Sequence, residues 1–281
     1  MKKLLIILLA LNLIILTAGC GGGNKQAEEG DGKAKIGVIT RLNVSETEYN
    51  ELMKKLEKLY RPKQAHLSAH YIYFDKMNDM ILALDAKQID ILSTYQSVAN
   101  YMLQTATNKQ LLPSERTLTD SFCFAVRRGD TLLKNELNKA IKEMGGDGTL
   151  SNLSKKYILD LKDGAQPPAV PIPQIDGADT IKVAVTGDLP PFDMVLADGT
   201  PAGYSTAVLA EVSKRINKNI ELVSVDSAAR ASILSSRGAD VVFWVSVPKD
   251  STLLPANIDI PAEIDISDPY YHDNIAHIGL K

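Results

Sequence analysis

Polar and aromatic side chains gather where the predicted strands end, and these residues could hold a small molecule. Ligands of open α/β sheets lie beyond the carboxyl ends of the strands, so the segments that follow them are candidate binding positions. Their hydroxyl, amide, carboxylate and aromatic groups predict hydrogen bonding and stacking on a solute. The candidates of this kind are Thr40, Asn43, Thr94, Tyr95, Asp188, Phe192 and Trp244.

Several of these side chains also have a simpler structural interpretation. Phe192 and Trp244, the only tryptophan, fit core packing as well as a wall facing a ligand, and Asp188 fits a solvated turn. Tyr204 and Ser205 follow Gly203 at a predicted helix start. Backbone N–H groups and a hydroxyl there can hold an anion, or Ser205 can simply cap the helix.

The sequence gives little support to catalysis. Four histidines, His66, His70, His272 and His277, have no carboxylate pair beside them to complete a metal site. Gly21-Gly22-Gly23 lacks the Lys-Ser/Thr of a phosphate-binding loop, and no Gly-x-Ser-x-Gly elbow occurs. We therefore expect a protein that is not an enzyme, with no cofactor and no metal.

One cysteine near the start could carry a lipid. Lys2 and Lys3 precede an apolar run, Leu4 to Leu16, that is too short for a comfortable transmembrane helix and ends at Thr17-Ala18-Gly19-Cys20. The segment 1–20 resembles a bacterial lipoprotein signal peptide with lipidation at Cys20, although Thr17 stands where a leucine is usual. A non-lipidated signal peptide or a helical anchor is the alternative.

Composition gives no support for nucleic acid as a partner or for stabilisation by disulfide bonds. The net charge of -3 gives no argument for nucleic acid as a partner. The chain is 45% hydrophobic and 23% charged, as expected of a globular protein with a core. After Cys20 only Cys123 remains, and its apolar surroundings indicate a buried small hydrophobe rather than a reactive thiol.

Strands alternate with helices in two segments separated by prolines. Residues 21–33 are predicted to be a flexible tether, and residues 163–177 a proline-rich linker with Pro167, Pro168, Pro171 and Pro173. Between them, residues 34–162 predict four strands and several amphipathic helices, with a capping box at Ser45 and Glu48. Residues 178–281 predict three strands and two helices, followed by a strand-like end. The alternation predicts a mainly parallel α/β sheet covered on both faces.

The second segment resembles the first lobe of family 3 extracellular solute-binding proteins, which deliver polar amino acids to membrane importers. The resemblance rests on Leu189-Pro190-Pro191-Phe192, Asp198 to Tyr204, Gly238 to Val242 and Ser267 to Tyr271. The first segment resembles the second lobe and the C-terminal return, through Lys35 to Val38, Gln88 to Ile91 and Phe124 to Asp130. The resemblance implies a two-lobed clamshell of the type II periplasmic-binding-protein kind.

The lobes stand in the reverse of the family order. We interpret this order as a circular permutation, in which the linker joins the old C-terminus to the old N-terminus. Such rearrangements are tolerated because domain termini often lie close together. Two degenerate half-domains left by a duplication are the alternative.

The usual amino-acid clamp of the family is missing. Members that bind amino acids carry an arginine after the third strand of the first lobe, where this chain reads Trp244 to Asp250 without one. Ser205 stands where an acid is usual, and Thr94-Tyr95-Gln96 where an acid meets the ligand ammonium.

The resemblance therefore predicts a lipid-anchored protein on the extracytoplasmic face of the cell membrane. It would capture a small polar, amino-acid-like solute for an ABC importer permease. A degenerate scaffold that acts as a sensor or surface interaction module is the alternative, and a dehydratase-like catalyst is a more distant one.

Overall fold

The computed structural model describes residues 33–60, 69–114, 118–249 and 257–281. The predicted signal peptide, the lipidation site at Cys20 and the tether up to residue 32 lie outside the described residues. Residues Ala34–Lys281 form one compact unit. Among the described residues, no helix is both long and apolar enough to span a bilayer.

The first half of this unit alternates strands and helices, with five strands where the sequence predicted four. The strands are β1 (Lys35–Ile39), β2 (His70–Phe74), β3 (Ile91–Tyr95), β4 (Lys109–Leu112) and β5 (Thr119–Arg127). The helices are α1 (Glu46–Tyr60), α2 (Met77–Asp85), α3 (Gln96–Leu103), α4 (Thr131–Gly146) and α5 (Thr149–Ser154), with a π-helical turn at Lys155–Leu159.

The second half carries the remaining elements. Its strands are β6 (Thr180–Val185), β7 (Asp188–Leu189), β8 (Asp193–Val195), β9 (Pro201–Ala202), β10 (Asn219–Ser224), β11 (Val241–Pro248) and β12 (Ile264–Leu280). Its helices are α6 (Tyr204–Ile216) and α7 (Arg230–Ser235), with a 3-10 turn at Ser227–Ala229 between them in the chain.

Most strands belong to one curled sheet, in which the two halves exchange strands. The order is β10-β6-β11-β5-β12-β3-β1-β2, and β4 also pairs with β12. We call the part built on β1, β2, β3 and β4 lobe A, and the part built on β6, β10 and β11 lobe B. Strand β5 comes from the first segment but pairs with β11 of lobe B. Strand β12 comes from the second segment but pairs with β3 and β4 of lobe A.

The expectation of a mainly parallel sheet is wrong for the middle of the molecule. Within each lobe the first three strands are parallel, as β1 is to β2 and β3. Strands β5 and β12, however, run antiparallel to each other and to their neighbours. Each of these two strands comes from the opposite segment of the chain and therefore enters the sheet from the other end. The alternation of strands and helices within one segment does not reveal this reversal.

The long strand β12 is the structural link between the lobes. Its residues 264–274 pair with β5, and residues 275–280 pair with β3 and β4. The register shifts around Pro269, where proline interrupts the ladder. Strands β12 and β5, which pair along residues 264–274, form a two-stranded connection between the lobes.

Local sequence explains the helix that follows β1. The Ser45 hydroxyl accepts a hydrogen bond from the Glu48 backbone N–H at 3.3 Å, and the Glu48 carboxylate accepts one from the Ser45 N–H at 3.0 Å. The predicted capping box is therefore present and fixes the start of α1.

The segment predicted to be a proline-rich linker forms no helix and is packed in its middle. The Val170 N–H donates to the Pro201 carbonyl oxygen at 2.8 Å, and Val170 is buried. The linker thus lies against the small sheet β7-β8-β9 of lobe B.

Candidate functional site

A cavity of about 40 Å³ lies at the seam between the lobes, where the carboxyl ends of several strands meet. Lobe A contributes residues from the ends of β1 and β3, and lobe B contributes residues from α7 and β11. The lining consists of Val38, Ile39, Arg41, Ser93, Thr94, Tyr95, Arg230, Trp244, Ser246 and Ile275. The fold thus brings strand ends of both lobes to one space lined by both polar and apolar side chains, as expected for an α/β ligand site.

Arg230 closes the lobe B side of this cavity. Its Nη2 donates to the Thr40 carbonyl oxygen of lobe A at 2.7 Å, and its Nε donates to the Ser227 carbonyl oxygen at 3.1 Å. The guanidinium lies 4.3 Å from the ring centroid of Trp244. Burial lowers the pKa of Arg230 to about 10, so the side chain remains charged at neutral pH. Arg230 therefore holds Trp244 in place and joins the lobes.

Arg41 brings a second positive charge from lobe A. It follows β1 directly, donates from Nη2 to the Tyr49 hydroxyl at 3.3 Å, and lies 5.1 Å from the Tyr49 ring centroid. Burial opposes its charge, but the nearby Tyr49, Tyr95, Asp120 and Asp259 raise the pKa of Arg41 above its ordinary value. Arg41 is thus a permanent cation at the cavity.

Two carboxylates lie behind Arg41, around a neighbouring cavity of about 30 Å³. Asp259 accepts the backbone N–H groups of Leu42 and Asn43 at 3.0 and 2.8 Å, which fixes the loop after β1. Asp120 accepts the Tyr95 hydroxyl at 3.4 Å. Burial raises the pKa of Asp120 above the usual carboxyl value, although Arg41 opposes that shift.

A third carboxylate, Asp188 of lobe B, crosses the seam. Its Oδ2 accepts the N–H of Met77 at 2.8 Å, at the first residue of α2 in lobe A. Negative charge at a helix N-terminus is stabilised by the unpaired backbone N–H groups there. An exposed ion pair between Lys76 and Asp226 at 3.3 Å lies in the same region. Described residues of the two lobes thus hold each other closed.

The aromatic candidates fall into two groups. Trp244 lines the cavity, and its Nε1 donates to the Thr186 hydroxyl at 3.3 Å. Phe192 is fully buried and stacks on Phe122 of β5 with ring centroids 4.8 Å apart. Tyr204 is also fully buried, and its hydroxyl donates to the Tyr270 carbonyl oxygen at 3.1 Å.

Ser205 and Asn43 lie away from the cavity wall as well. Ser205 has no exposed surface, and its Oγ accepts the Tyr270 hydroxyl at 3.3 Å. Asn43 is exposed on the loop after β1, where its backbone binds Asp259. Of the predicted residues, Thr94, Tyr95 and Trp244 line the cavity, and Thr40 contributes its carbonyl oxygen to Arg230.

Sequence reasoning missed four charged residues of this region: Arg41, Asp120, Arg230 and Asp259. Arg41 had a usable signal, because it directly follows Thr40 at the end of a predicted strand. Arg230 and Asp259 had none, since the first begins a short helix and the second lies in a loop far along the chain. Only folding brings them to the seam.

The model of the bacterial extracellular solute-binding proteins, family 3, matches residues 60–160 and 181–250 of this chain. The chain belongs to this family. Its fold is that of the α/β, type II periplasmic-binding-protein-like domains. Membership implies an extracytoplasmic location, a role in binding small solutes and, usually, a transporter partner. The family is one of binding proteins.

Solved structures of similar fold are related only distantly in sequence. The ligand-binding component of an ABC-type import system from Staphylococcus aureus, with zinc bound, is 15% identical, with 88% of this chain and 66% of that chain covered and a TM-score of 0.43. The methionine-binding protein MetQ is 12% identical, with 89% and 84% covered and a TM-score of 0.42. The VFT2 domain of Bordetella pertussis BvgS (a double mutant) is 11% identical, with 88% and 80% covered and a TM-score of 0.40. No curated protein sequence matches the chain.

Proposed function

We propose that this protein is a membrane-anchored, extracytoplasmic solute-binding protein that captures a small polar, amino-acid-like solute and presents it to an ABC importer. The observation that carries the proposal is the cavity at the seam, because its polar lining comes from both lobes and includes Arg41 and Arg230. A solute that touches both lobes favours their closure, which is how hinged binding proteins couple capture to a change of shape.

The closed seam must open for a solute to enter. At about 40 Å³ the cavity holds roughly three water molecules, since each needs about 10–15 Å³ of such space. Opening about β5 and β12 breaks the bonds from Arg230 to Thr40 and from Met77 to Asp188. Water can replace both hydrogen bonds when the lobes open. Opening therefore exposes little apolar surface at these two points.

Anchoring by a lipid at Cys20 is part of the same proposal. The short apolar run before Thr17-Ala18-Gly19-Cys20 supports it, and so does membership of a family whose members act outside the cytoplasm. A lipid anchor and the tether at residues 21–33 would keep the binding unit near a permease.

A non-transporting scaffold is the second candidate function, and the self-closure of the lobes favours it. Arg230 and Asp188 are satisfied by the chain itself, and no arginine follows β11, where the family's carboxylate clamp stands. In this candidate the lobes stay shut and the outer surface meets a macromolecular partner.

We also propose that the chain is a circular permutation of the family order. The family model matches it in two pieces that flank the linker. Each lobe repeats one arrangement, β2-β1-β3 followed by β12 in lobe A, and β10-β6-β11 followed by β5 in lobe B. Each lobe thus receives its fourth strand from the other segment, as in a clamshell whose chain crosses twice.

Thermal unfolding against a panel of amino acids and other small polar solutes tests the binding function. A ligand that binds only the folded chain raises the melting temperature in proportion to the logarithm of its concentration above Kd. We expect one solute class to do so in the wild type and to lose the effect in Trp244→Ala. Phe192→Ala, which removes a buried ring outside the cavity, is the control for general destabilisation.

The two candidates make opposite predictions in this experiment. A cooperative melting transition that no solute shifts contradicts solute capture and leaves the scaffold. A shift that survives in Trp244→Ala would place the bound solute elsewhere on the molecule.

A further inference from the structure

Two polar atoms at the seam cavity lack hydrogen-bond partners among the described residues. They are Nε of Arg41 and Oγ1 of Thr94, and both are buried. Thr94 is 5% exposed, and both residues line the same cavity. A buried donor without a partner costs free energy, so such atoms beside a cavity favour an occupant that accepts hydrogen bonds from them.

The two charged residues that line this cavity are both positive, although Asp120 and Asp259 interact with Arg41 from the neighbouring cavity. The lining of the seam cavity holds two guanidinium groups, Arg41 and Arg230, and three hydroxyl-bearing side chains besides Tyr95, but none of the residues lining it is acidic. Asp120 and Asp259 line the neighbouring cavity on the far side of Arg41. Asp188 is occupied by the Met77 N–H. An anion in the cavity would therefore meet two cations, and an ammonium group would meet no carboxylate of the lining.

The side-chain donors at the cavity differ in how many of their N–H or O–H groups already have a hydrogen-bond acceptor. The guanidinium of Arg230 already donates to carbonyl oxygens of Thr40, Ser227 and Trp244. Arg41 donates from Nη2 to Tyr49 and leaves Nε unpaired. Thr94 lies on β3 of the same lobe and lines the same cavity. The binding group is thus made by Arg41 and Thr94, with Arg230 supplying charge from across the seam.

We propose that this cavity is the site of a small anion, a carboxylate or an inorganic oxyanion, held by Arg41 and Thr94 and not accompanied by an ammonium group. The inference rests on the proposed solute-binding function and replaces its amino-acid-like ligand with an acidic solute that has no amino group. Space for roughly three water-sized groups matches the three heavy atoms of a carboxylate group, and acetate or phosphate, with four and five heavy atoms, requires the seam to open slightly. Guanidinium groups bind such planar anions through charge-assisted hydrogen bonds.

The fluorescence of Trp244, the only tryptophan, reports on this cavity directly. We would titrate the full chain, in non-ionic detergent and chloride-free buffer, with acetate, phosphate, glycine and acetamide. Glycine is acetate with an ammonium group added, and acetamide is the neutral analogue of acetate. Melting temperature is read in parallel with fluorescence. The comparison of acetate with phosphate separates a carboxylate ligand from an inorganic one.

Three variants locate the site. Arg41→Gln removes the charge, and Thr94→Val removes one hydroxyl at constant shape. Arg128→Gln removes an exposed positive charge just after β5 and is the matched control. We expect acetate or phosphate to bind, with Kd raised at least about tenfold by Arg41→Gln and about two- to tenfold by Thr94→Val, as for charged and neutral hydrogen bonds. Arg128→Gln should leave Kd unchanged. Because Thr94→Val preserves packing, it keeps the test open if Arg41→Gln fails to fold.

Each other outcome overturns the inference in a distinguishable way. If glycine binds as tightly as acetate, or more tightly, the ligand carries an ammonium group and only the proposed solute-binding function survives. If acetate or phosphate binds equally well to Arg41→Gln, Thr94→Val and Arg128→Gln, the anion lies elsewhere. If none of the four probes binds, the anion site is refuted. The amino-acid panel then decides separately whether solute capture stands.

Discussion

At the scale of single residues, the contact between Arg230 and Trp244 stabilises the closed seam. The guanidinium covers the indole ring at 4.3 Å and also donates to Thr40 of the opposite lobe. Trp244 is 3% exposed as a result of this packing and that of its neighbours. One side chain thus shields the tryptophan and joins lobe A to lobe B.

We expect Arg230→Gln to expose Trp244 and to loosen the seam. Three carbonyl oxygens lose a charged donor, and the stack on the indole is lost, so the free energy of unfolding should fall by about 2–4 kcal/mol. Tryptophan emission should shift to longer wavelength because water reaches the ring. Urea unfolding followed by fluorescence measures both effects. Arg237→Gln, at an exposed residue just after α7, is the control. An unchanged emission maximum in Arg230→Gln would contradict the role given to this contact.

At the scale of elements, the start of α6 is set by a close backbone approach. Gly203 has φ +108°, and a Cβ atom there would lie 2.4 Å from the Phe192 carbonyl oxygen. The N–H groups of Tyr204 and Ser205 donate to the carbonyl oxygens of Pro191 and Phe192. Glycine lets the helix meet the 190–192 turn, which in turn places Phe192 in the aromatic core between β5 and β12.

We expect Gly203→Ala to destabilise the protein by more than about 2 kcal/mol, since strained φ and a backbone clash add. Gly199→Ala is the matched control, because Gly199 has φ +85° but nothing within 4 Å of an added Cβ. That variant should lose only about 1 kcal/mol, the cost of the positive φ. The midpoints of urea unfolding compare the two. Equal losses of stability in the two variants would mean that the clash with the Phe192 carbonyl oxygen is relieved at no cost.

At the scale of the whole molecule, the two ends of the compact unit lie near each other in the sheet. Ile278 of β12 pairs with Leu92 of β3, and Leu92 pairs with Gly37 of β1. Two strand spacings, roughly 10 Å, therefore separate the end of β12 from the start of β1. A linker of about six residues spans that distance.

We expect a chain with the lobes in the family's order to fold to the same structure. Such a variant joins Lys281 to Ala34 through about six Gly/Ser residues and opens the chain between the exposed Ala165 and Gln166. Few contacts change, so its free energy of unfolding should lie within roughly 2 kcal/mol of that of residues 34–281. Circular dichroism and urea unfolding test this. Opening between Pro269 and Tyr270, inside β12, is the contrasting variant and should prevent folding. A Gly/Ser-joined chain that stays unfolded would contradict the equivalence of the two orders.

Much of the fold follows from the sequence by itself. The alternation of strands and helices and the capping box at Ser45 and Glu48 are local features, set by propensity and by hydrogen bonding to near neighbours. The resemblance to family 3 solute-binding proteins rests on short motifs that keep their spacing, and the family match agrees with it. Thr94, Tyr95 and Trp244 were predicted from their places at the ends of predicted strands, and all three line the seam cavity.

Only the tertiary structure decided which charged side chains meet at the seam and which aromatic side chains lie away from it. Arg41 and Arg230 are 189 positions apart in the chain (230 − 41), and the exchange of β5 and β12 between the lobes brings them to one cavity. Phe192 lies in the core because Phe122 and Tyr271, on those same two strands, reach it from another part of the chain. Burial and long-range pairing depend on how the lobes close, and local sequence patterns carry no information about distances between segments.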